Sequence, residues 1–266
     1  MNLKDICLQT IQLTKEVGTF IRNEAAIFDS TKIEYKGHNN NLVSYVDKEA
    51  EKLLVTRLSE ILPEAGFITE ENTINKPSEH LNWVIDPLDG TTNFMHGLPV
   101  FAISIGLATK DQVIIGVVYD ISRDECFYAW KDGGAFCNGE KIKTSKVISL
   151  KDSLMSTGFP YYDFEKSSQY LDIFNELMRK THGLRRMGSA AIDIAYLAAG
   201  RFEGFFEYNL NSWDVAGGIC LVQEAGGIVS DFYGGQDCVF GRSLIAGCNH
   251  TLHEELFEIV KRHWEK

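Results

Sequence analysis

The apolar residues of this chain change their spacing near Pro63, and that change excludes both an all-helical and an all-strand fold. Upstream, Leu3, Ile6, Cys7, Ile11, Leu13, Val17, Phe20 and Ile21 recur at helical intervals, which predicts one helix running into the polar stretch at residues 29–31. Ala50, Leu53, Leu54, Leu58, Ile61 and Leu62 predict a second. Pro63 ends it, because proline has no amide hydrogen to donate and its ring clashes with the preceding turn. Downstream, residues 67–69, 83–85, 101–107, 113–119 and 126–130 read as strands parted by turn signals. Asp132-Gly133-Gly134 and Asn138-Gly139 suit hairpins, since glycine and asparagine tolerate positive φ. Residues 1–145 are therefore expected to lay two helices over an antiparallel sheet.

From residue 146 to 266 the pattern alternates. Short strands at 154–157, 202–206, 228–230 and 244–246 are interleaved with helices at 169–180, 190–199 and 215–225. Gly200 and Gly226-Gly227 close the latter two in the usual C-terminal place. A last helix is expected to open with a capping box, Thr251-Leu252-His253-Glu254, and to bury Leu256, Ile259 and Val260. This half reads as α/β. No Pro-rich linker or low-complexity tract separates the halves, so one continuous core is expected.

Charge narrows the partners. With 26 Lys+Arg against 37 Asp+Glu the net charge is −11, and no basic run exceeds Arg185-Arg186. Nucleic acid and anionic membrane surfaces need clustered cations to replace counterions, so neither is an expected partner. No apolar stretch approaches the roughly 20 residues of a membrane span. Six widely spaced cysteines, without zinc-like spacing, read as reduced thiols. With no secretory signal, a cytoplasmic location is expected.

The acids are placed where chemistry could use them. In Trp83-Val84-Ile85-Asp86-Pro87-Leu88-Asp89-Gly90-Thr91-Thr92-Asn93, a buried strand delivers Asp86, Pro87 stiffens the exit and Asp89 follows beside Gly90. Two carboxylates so spaced can face one point, where repulsion is relieved by a hard cation such as Mg²⁺. The amides of Gly90 to Asn93, opening a short helix, could receive a phosphate. The plainer reading makes Asp89 a helix N-cap, and residues alone leave both open. Glu70-Glu71 at a strand end, Asp47 before the second helix and Asp214 in Trp213-Asp214-Val215-Ala216-Gly217-Gly218 carry the same ambiguity.

Taken together, Asp86–Asn93 (DPLDGTTN), TEEN at 69–72, NLVSYVD at 41–47 and WDVAGG at 213–218 resemble the inositol monophosphatase family, in order and spacing, from the first helix to about residue 250. This is the Mg²⁺-dependent, lithium-sensitive phosphatase superfamily that includes fructose-1,6-bisphosphatases. The resemblance implies a layered αβαβα sandwich and a homodimer. It implies two to three Mg²⁺ ions: one on Glu70, Asp86 and the Leu88 carbonyl, a second on Asp86, Asp89 and Asp214, and a weaker third near Glu70. Glu70, Thr91 and Asp47 are the implied catalytic residues, with Thr91, supported by Asp47, orienting and deprotonating a metal-activated water. Asp89, Gly90, Thr91, Gly188, Ser189, Ala190, Glu207 and Asp214 are the implied substrate contacts.

The implied reaction is hydrolysis of a small phosphorylated polyol, myo-inositol 1-phosphate first. A carboxylate at Glu207 accepts hydrogen bonds from vicinal hydroxyls but repels a second phosphate. Fructose 1,6-bisphosphate, adenosine 3′,5′-bisphosphate, histidinol phosphate and NADP are the alternatives on this scaffold, together with a non-catalytic regulatory member. The chain departs from the family at Asn41, where aspartate is common, and at Ser44, where threonine is. Lys36 matches a lysine near the family's metal site, and His96 has no role to fill.

Overall fold

The structure, a computed structural model, describes residues 1–28, 34–35, 42–74, 76–160 and 164–265. Lys36, Asn41 and the polar stretch at 29–31 lie outside them. The chain opens with α1 (Leu3–Ile27), β1 (Glu34–Tyr35), β2 (Leu42–Val43), α2 (Tyr45–Ile61), β3 (Gly66–Thr69), β4 (Leu81–Asp89) and α3 (Thr91–Met95). It continues with β5 (Ala102–Thr109), β6 (Val113–Asp120), β7 (Glu125–Trp130), β8 (Gly134–Cys137) and β9 (Glu140–Ile142). Then come β10 (Leu154–Thr157), α4 (Ser167–Lys180), β11 (Gly183–Arg185), α5 (Ala190–Ala198) and β12 (Gly204–Tyr208). The end is α6 (Ser212–Ala225), β13 (Ile228–Ser230), β14 (Ser243–Gly247) and α7 (His250–Trp264).

Two large sheets and three helical layers follow from which faces are apolar. β3 to β9 form a seven-stranded sheet in sequential order, and β11-β10-β12-β14-β13 form a five-stranded one. On one face of the larger sheet, Trp83, Ile85, Ile105, Val117 and Cys126 pack with Ile6, Val17, Leu54 and Leu58 of α1 and α2. On the other, Val84, Val118 and Phe127 pack with α5 and α6, which also cover Phe205, Leu244 and Ala246 of the smaller sheet. The far face of that sheet is sealed by Ile173 and Leu177 of α4 and Leu256, Ile259 and Val260 of α7. Period-2 alternation along the strands sends successive residues into different layers, so helix, sheet, helix, sheet, helix is the only stacking that buries every apolar face.

Several local expectations are corrected. The edge pair β3–β4 is parallel, whereas β4 through β9 are antiparallel as expected. The stretch between β3 and β4 is long enough to return the chain to the same end, which a hairpin cannot do. α7 is capped by Asn249, whose side chain accepts from Leu252 N, and not by Thr251. Nor are Asp47 and Asp214 N-caps: Ser44 and Asn211 are, and each acid is the N3 partner of a capping box.

One close approach sets the position of α6. A methyl group at Gly116 would run into the backbone carbonyl of Gly217, and one at Gly106 would lie 2.7 Å from Ala216 Cβ. Helix and sheet therefore touch backbone to backbone, which brings the N-terminus of α6 to the end of β4. Gly116→Ala is expected to cost about 1–3 kcal/mol through overpacking. The check is a lower urea midpoint with an unchanged m-value.

Candidate active site

A bulge in β4 builds the centre of the site. β4 does not end near Ile85 but continues to Asp89, with a register shift against β5 between Asp86, opposite Ser104, and Asp89, opposite Ala102. The extra residue on β4 is accommodated around Pro87, which has no ladder hydrogen to lose. Leu88 N donates to Asp86 Oδ1 at 2.9 Å and fixes one oxygen of that carboxylate. Gly90, at φ +93, turns the chain into α3. No side chain would fit there, because a Cβ would lie 2.8 Å from Val100 O.

The cleft that opens here is lined by Glu70, Asp86, Leu88, Asp89, Gly90 and Thr91 from the first half of the chain. From the second half come Gly188, Ser189, Ala190, Glu207 and Asp214. Asp47 does not reach the cleft surface. It is fully buried behind it, where Oδ2 accepts from Ser44 N at 2.9 Å and Ser44 Oγ at 2.6 Å. Its other oxygen, Oδ1, lies 2.9 Å from Thr91 Oγ1, which is also 2.9 Å from Leu88 O. A hydroxyl has one hydrogen, so Thr91 donates to one of these two at a time.

Asp89 ties the halves together. Its Oδ2 accepts from Ser189 Oγ and Ala191 N, both at 2.7 Å, so it holds the N-cap residue and a first-turn amide of α5 across the cleft and does not cap the short helix that follows it in sequence. Asn93 adds a second tie, donating to Val100 O at 2.8 Å and Met187 O at 2.9 Å. That places Gly188, Ser189 and Ala190 against the bulge. Glu207, buried on β12, lies so close to Gly158 that a side chain there would collide with its carboxylate.

Electrostatics show what the cleft lacks. Burial, then the charges of Glu70, Asp89 and Asp214, push Asp86 well above the usual carboxylate range. Asp214 is raised well above it by burial, with Asp89 and Glu70 adding to the effect against the Asn211 bonds. Burial pushes Asp89 up to about 6, opposed by the bonds from Ser189 and Ala191. Burial pushes Asp47 up to about 6 as well, against the bonds from Ser44 and Thr91. Arg186 is the single basic residue lining the cleft among the described residues.

These donors fit a hard divalent cation. Glu70 stands close enough to Asp86 that its charge is the first neighbour to add to burial in raising that carboxyl. A cation bound there would offset that repulsion, and every donor is oxygen, the set that Mg²⁺ takes. Among the described residues no three acidic, imidazole or thiol side chains already converge at coordinating distance on one point. The fit therefore rests on donor chemistry and shared charge.

Two charged lining residues, Arg186 and Asp193, escaped the sequence reading. Arg186 registered there only as half of a basic pair. Asp193, almost fully buried on α5, has an Oδ1 with no hydrogen-bond partner, and burial followed by the charges of Glu207 and Asp89 raises it well above the usual range. A lone acid in Ala190-Ala191-Ile192-Asp193-Ile194-Ala195 was the available signal.

Comparison with known proteins agrees with this architecture. The model of the inositol monophosphatase family matches residues 3–265. An inositol-1-monophosphatase from Mesorhizobium japonicum is 37% identical over 254 residues, covering 95% of this chain and 94% of that protein. The Nus factor SuhB of Escherichia coli K12 is 40% identical over 260 residues, covering 95% and 97%. The crystal structure of extragenic suppressor protein suhB from Bartonella henselae superposes with a TM-score of 0.89 at 35% identity, over 98% of this chain and 99% of that one. The chain belongs to the inositol monophosphatase family, whose members are phosphoric monoester hydrolases.

Proposed function

We propose that this protein is a Mg²⁺-dependent phosphatase that hydrolyses a small phosphate monoester by direct attack of water, with myo-inositol 1-phosphate as the substrate. The observation that carries the proposal is the juxtaposition of Glu70, Asp86, Asp89 and Asp214 in one cleft with the Thr91–Asp47 pair at its edge. Glu70, Asp86 and the Leu88 carbonyl would hold one ion, Asp86, Asp89 and Asp214 a second, and Glu70 a weaker third. A Mg²⁺ ion held there would supply positive charge to offset the carboxylates and the phosphate dianion and would lower the pKa of water near it.

The chain's own residues do the rest. Thr91 Oγ1 orients the attacking water and passes its proton to Asp47 Oδ1, 2.9 Å away. Burial raises Asp47 above the usual carboxylate range, which makes it a better acceptor for that proton. Amides at Gly90 and Thr91 face the phosphate. Gly188, Ser189, Ala190 and Glu207 hold the leaving alcohol in line, which is what phosphoryl transfer mainly requires. The cation identity and a homodimeric assembly belong to the same proposal.

Glu207 sets the substrate class. Its buried carboxyl, raised well above the usual range by burial and then by the charge of Asp214, can accept hydrogen bonds from vicinal hydroxyls and offers a second phosphate no countercharge. The test is kcat/KM across inositol 1-phosphate, fructose 1,6-bisphosphate, adenosine 3′,5′-bisphosphate, histidinol phosphate and NADP. Inositol 1-phosphate should lead. Glu207→Gln should reduce its kcat/KM by about tenfold or more, the scale of one or two lost charge-assisted bonds, and narrow the margin over the bisphosphates. Wild-type preference for a bisphosphate would refute the polyol assignment.

The relative named Nus factor SuhB favours a second reading, a regulatory role that does not depend on catalysis. A carboxylate substitution in the cleft that removes hydrolysis and leaves such a role intact would support it.

A further inference from the structure

Of the buried acids outside the cleft, Glu51 has the most demanding surroundings. It lies on α2 one turn after Asp47, and both side chains are fully buried. Glu51 Oε1 accepts from Thr69 Oγ1 at 3.0 Å, Thr73 N at 2.8 Å and Thr73 Oγ1 at 2.6 Å. Oε2 accepts from Glu71 N at 2.7 Å. The four donors lie on the last residue of β3 and in the short loop after it, and they flank Glu70 on both sides. Glu70 itself is tied to the sheet by its amide, 3.2 Å from Ile85 O. Asn72, at φ +52, lets the loop turn tightly enough for Thr69 and Thr73 to meet the same oxygen. Neither Glu51, Thr69 nor Thr73 lines the cleft.

We infer that Glu51 is a positioning residue that sets where the Glu70 carboxylate stands, so that one turn of α2 holds both acid-bearing segments in register. Asp47 grips the β4 bulge through Thr91, and Glu51 grips the loop that carries Glu70. The inference rests on the reading of Glu70 as a cation ligand. A buried carboxylate facing four donors, of which the Thr69 hydroxyl is shared with Ile74 O at 3.1 Å, is a stiff anchor, because its bonds are charge-assisted. Partners that orient a ligand from behind act on metal affinity, and their loss typically weakens it by about 10–100-fold.

Glu51→Gln puts the prediction to a direct test. Glutamine can keep an oxygen toward Thr69 and Thr73, but its amide nitrogen then faces Glu71 N, donor against donor. Thr73→Val is the gentler variant, removing one of the four donors. Titration with MgCl₂ in a calorimeter, without substrate, should show Glu51→Gln weakening Mg²⁺ binding by about 10–100-fold and Thr73→Val by a few-fold. At saturating Mg²⁺ the kcat of phosphate release should stay within about threefold of wild type, because Glu51 acts through ligand placement and not on the reacting atoms. Folded Glu51→Gln with wild-type Mg²⁺ affinity overturns the inference, as does a loss of kcat with affinity unchanged. If Glu51→Gln does not melt cooperatively, Thr73→Val decides, and unaltered affinity there overturns it. Failure of the wild-type protein to bind Mg²⁺ would instead strike the proposed function, so the two failures are distinguishable.

Discussion

Asp89→Asn is expected to lower kcat/KM for Mg²⁺-dependent phosphate release by about a thousandfold or more, the scale on which a preorganised electrostatic element is lost. At pH 7.5 without Mg²⁺ it should raise the melting temperature. Both follow from how Asp89 is held. Its Oδ2 is engaged by Ser189 Oγ and Ala191 N, leaving Oδ1 for a cation. Asparagine can keep its oxygen toward those two donors, and doing so turns an NH₂ group toward the cation. The fold is undisturbed, and the charge that repels Glu70 is gone. Removing it should stabilise the metal-free protein by about 2 kcal/mol, or several degrees for a chain of this size. A variant that lost activity by misfolding would melt lower, so the opposite signs of the two effects are the signature.

The metal-free protein is also expected to gain stability as pH falls from 7 to about 4.5, the reverse of most soluble proteins. Asp47 and Asp89 are pushed up to about 6 in the folded state, and Asp86 and Asp214 are raised well above the usual range. Between the unfolded carboxylate range near 4 and about 6, the folded protein binds more protons than the unfolded chain, so stability falls as pH rises. The contribution is fully present below about 4 and is lost as pH passes through 6. For Asp47 alone the shift is worth about 3 kcal/mol. Carboxylates with the opposite sign act lower down: Glu176, held at about 2 by bonds to Lys180 and His263 despite its burial, loses its contribution only below about 4.5. Mg²⁺ competes with the cluster's protons. It should therefore raise the melting temperature strongly at pH 7.5, by about 2.7 kcal/mol of stabilisation at a hundredfold excess over Kd, and weakly at pH 5. Calorimetric scans at the two pH values, with and without Mg²⁺, measure both effects.

The layers were legible because apolar spacing reports burial directly. Residues 3–21 and 50–62 read as helices, and the strands at 113–119 and 126–130 lie within β6 and β7. The parallel β3–β4 pair was not legible, since strand direction depends on the course of the connection and not on side-chain spacing. Asp86 and Asp89 stood out because Pro87 and Gly90 mark a turn, but the bulge that separates their side chains is a backbone register and leaves no trace in composition. For Asp47 and Asp214 the sequence left an N-cap role open beside a chemical one; each is instead the third residue beyond the cap, which is Ser44 or Asn211. Glu51 was invisible for a different reason. Set among Lys48, Glu49 and Lys52, it looks like part of a solvated helix face, and only the loop folded over it shows otherwise. Asp89 taking a first-turn amide of α5 from a hundred residues away is likewise a tertiary fact.

The measurement that bears most directly on the central claim is release of inorganic phosphate from myo-inositol 1-phosphate, followed as Mg²⁺ is titrated into chelator-treated protein. A carboxylate-lined cleft that uses a cation to receive a phosphate predicts no release above background without Mg²⁺, a saturable rise as it is added, and no rise in Asp89→Asn. Release at the same rate in excess chelator, or no release although Mg²⁺ binds, would contradict it.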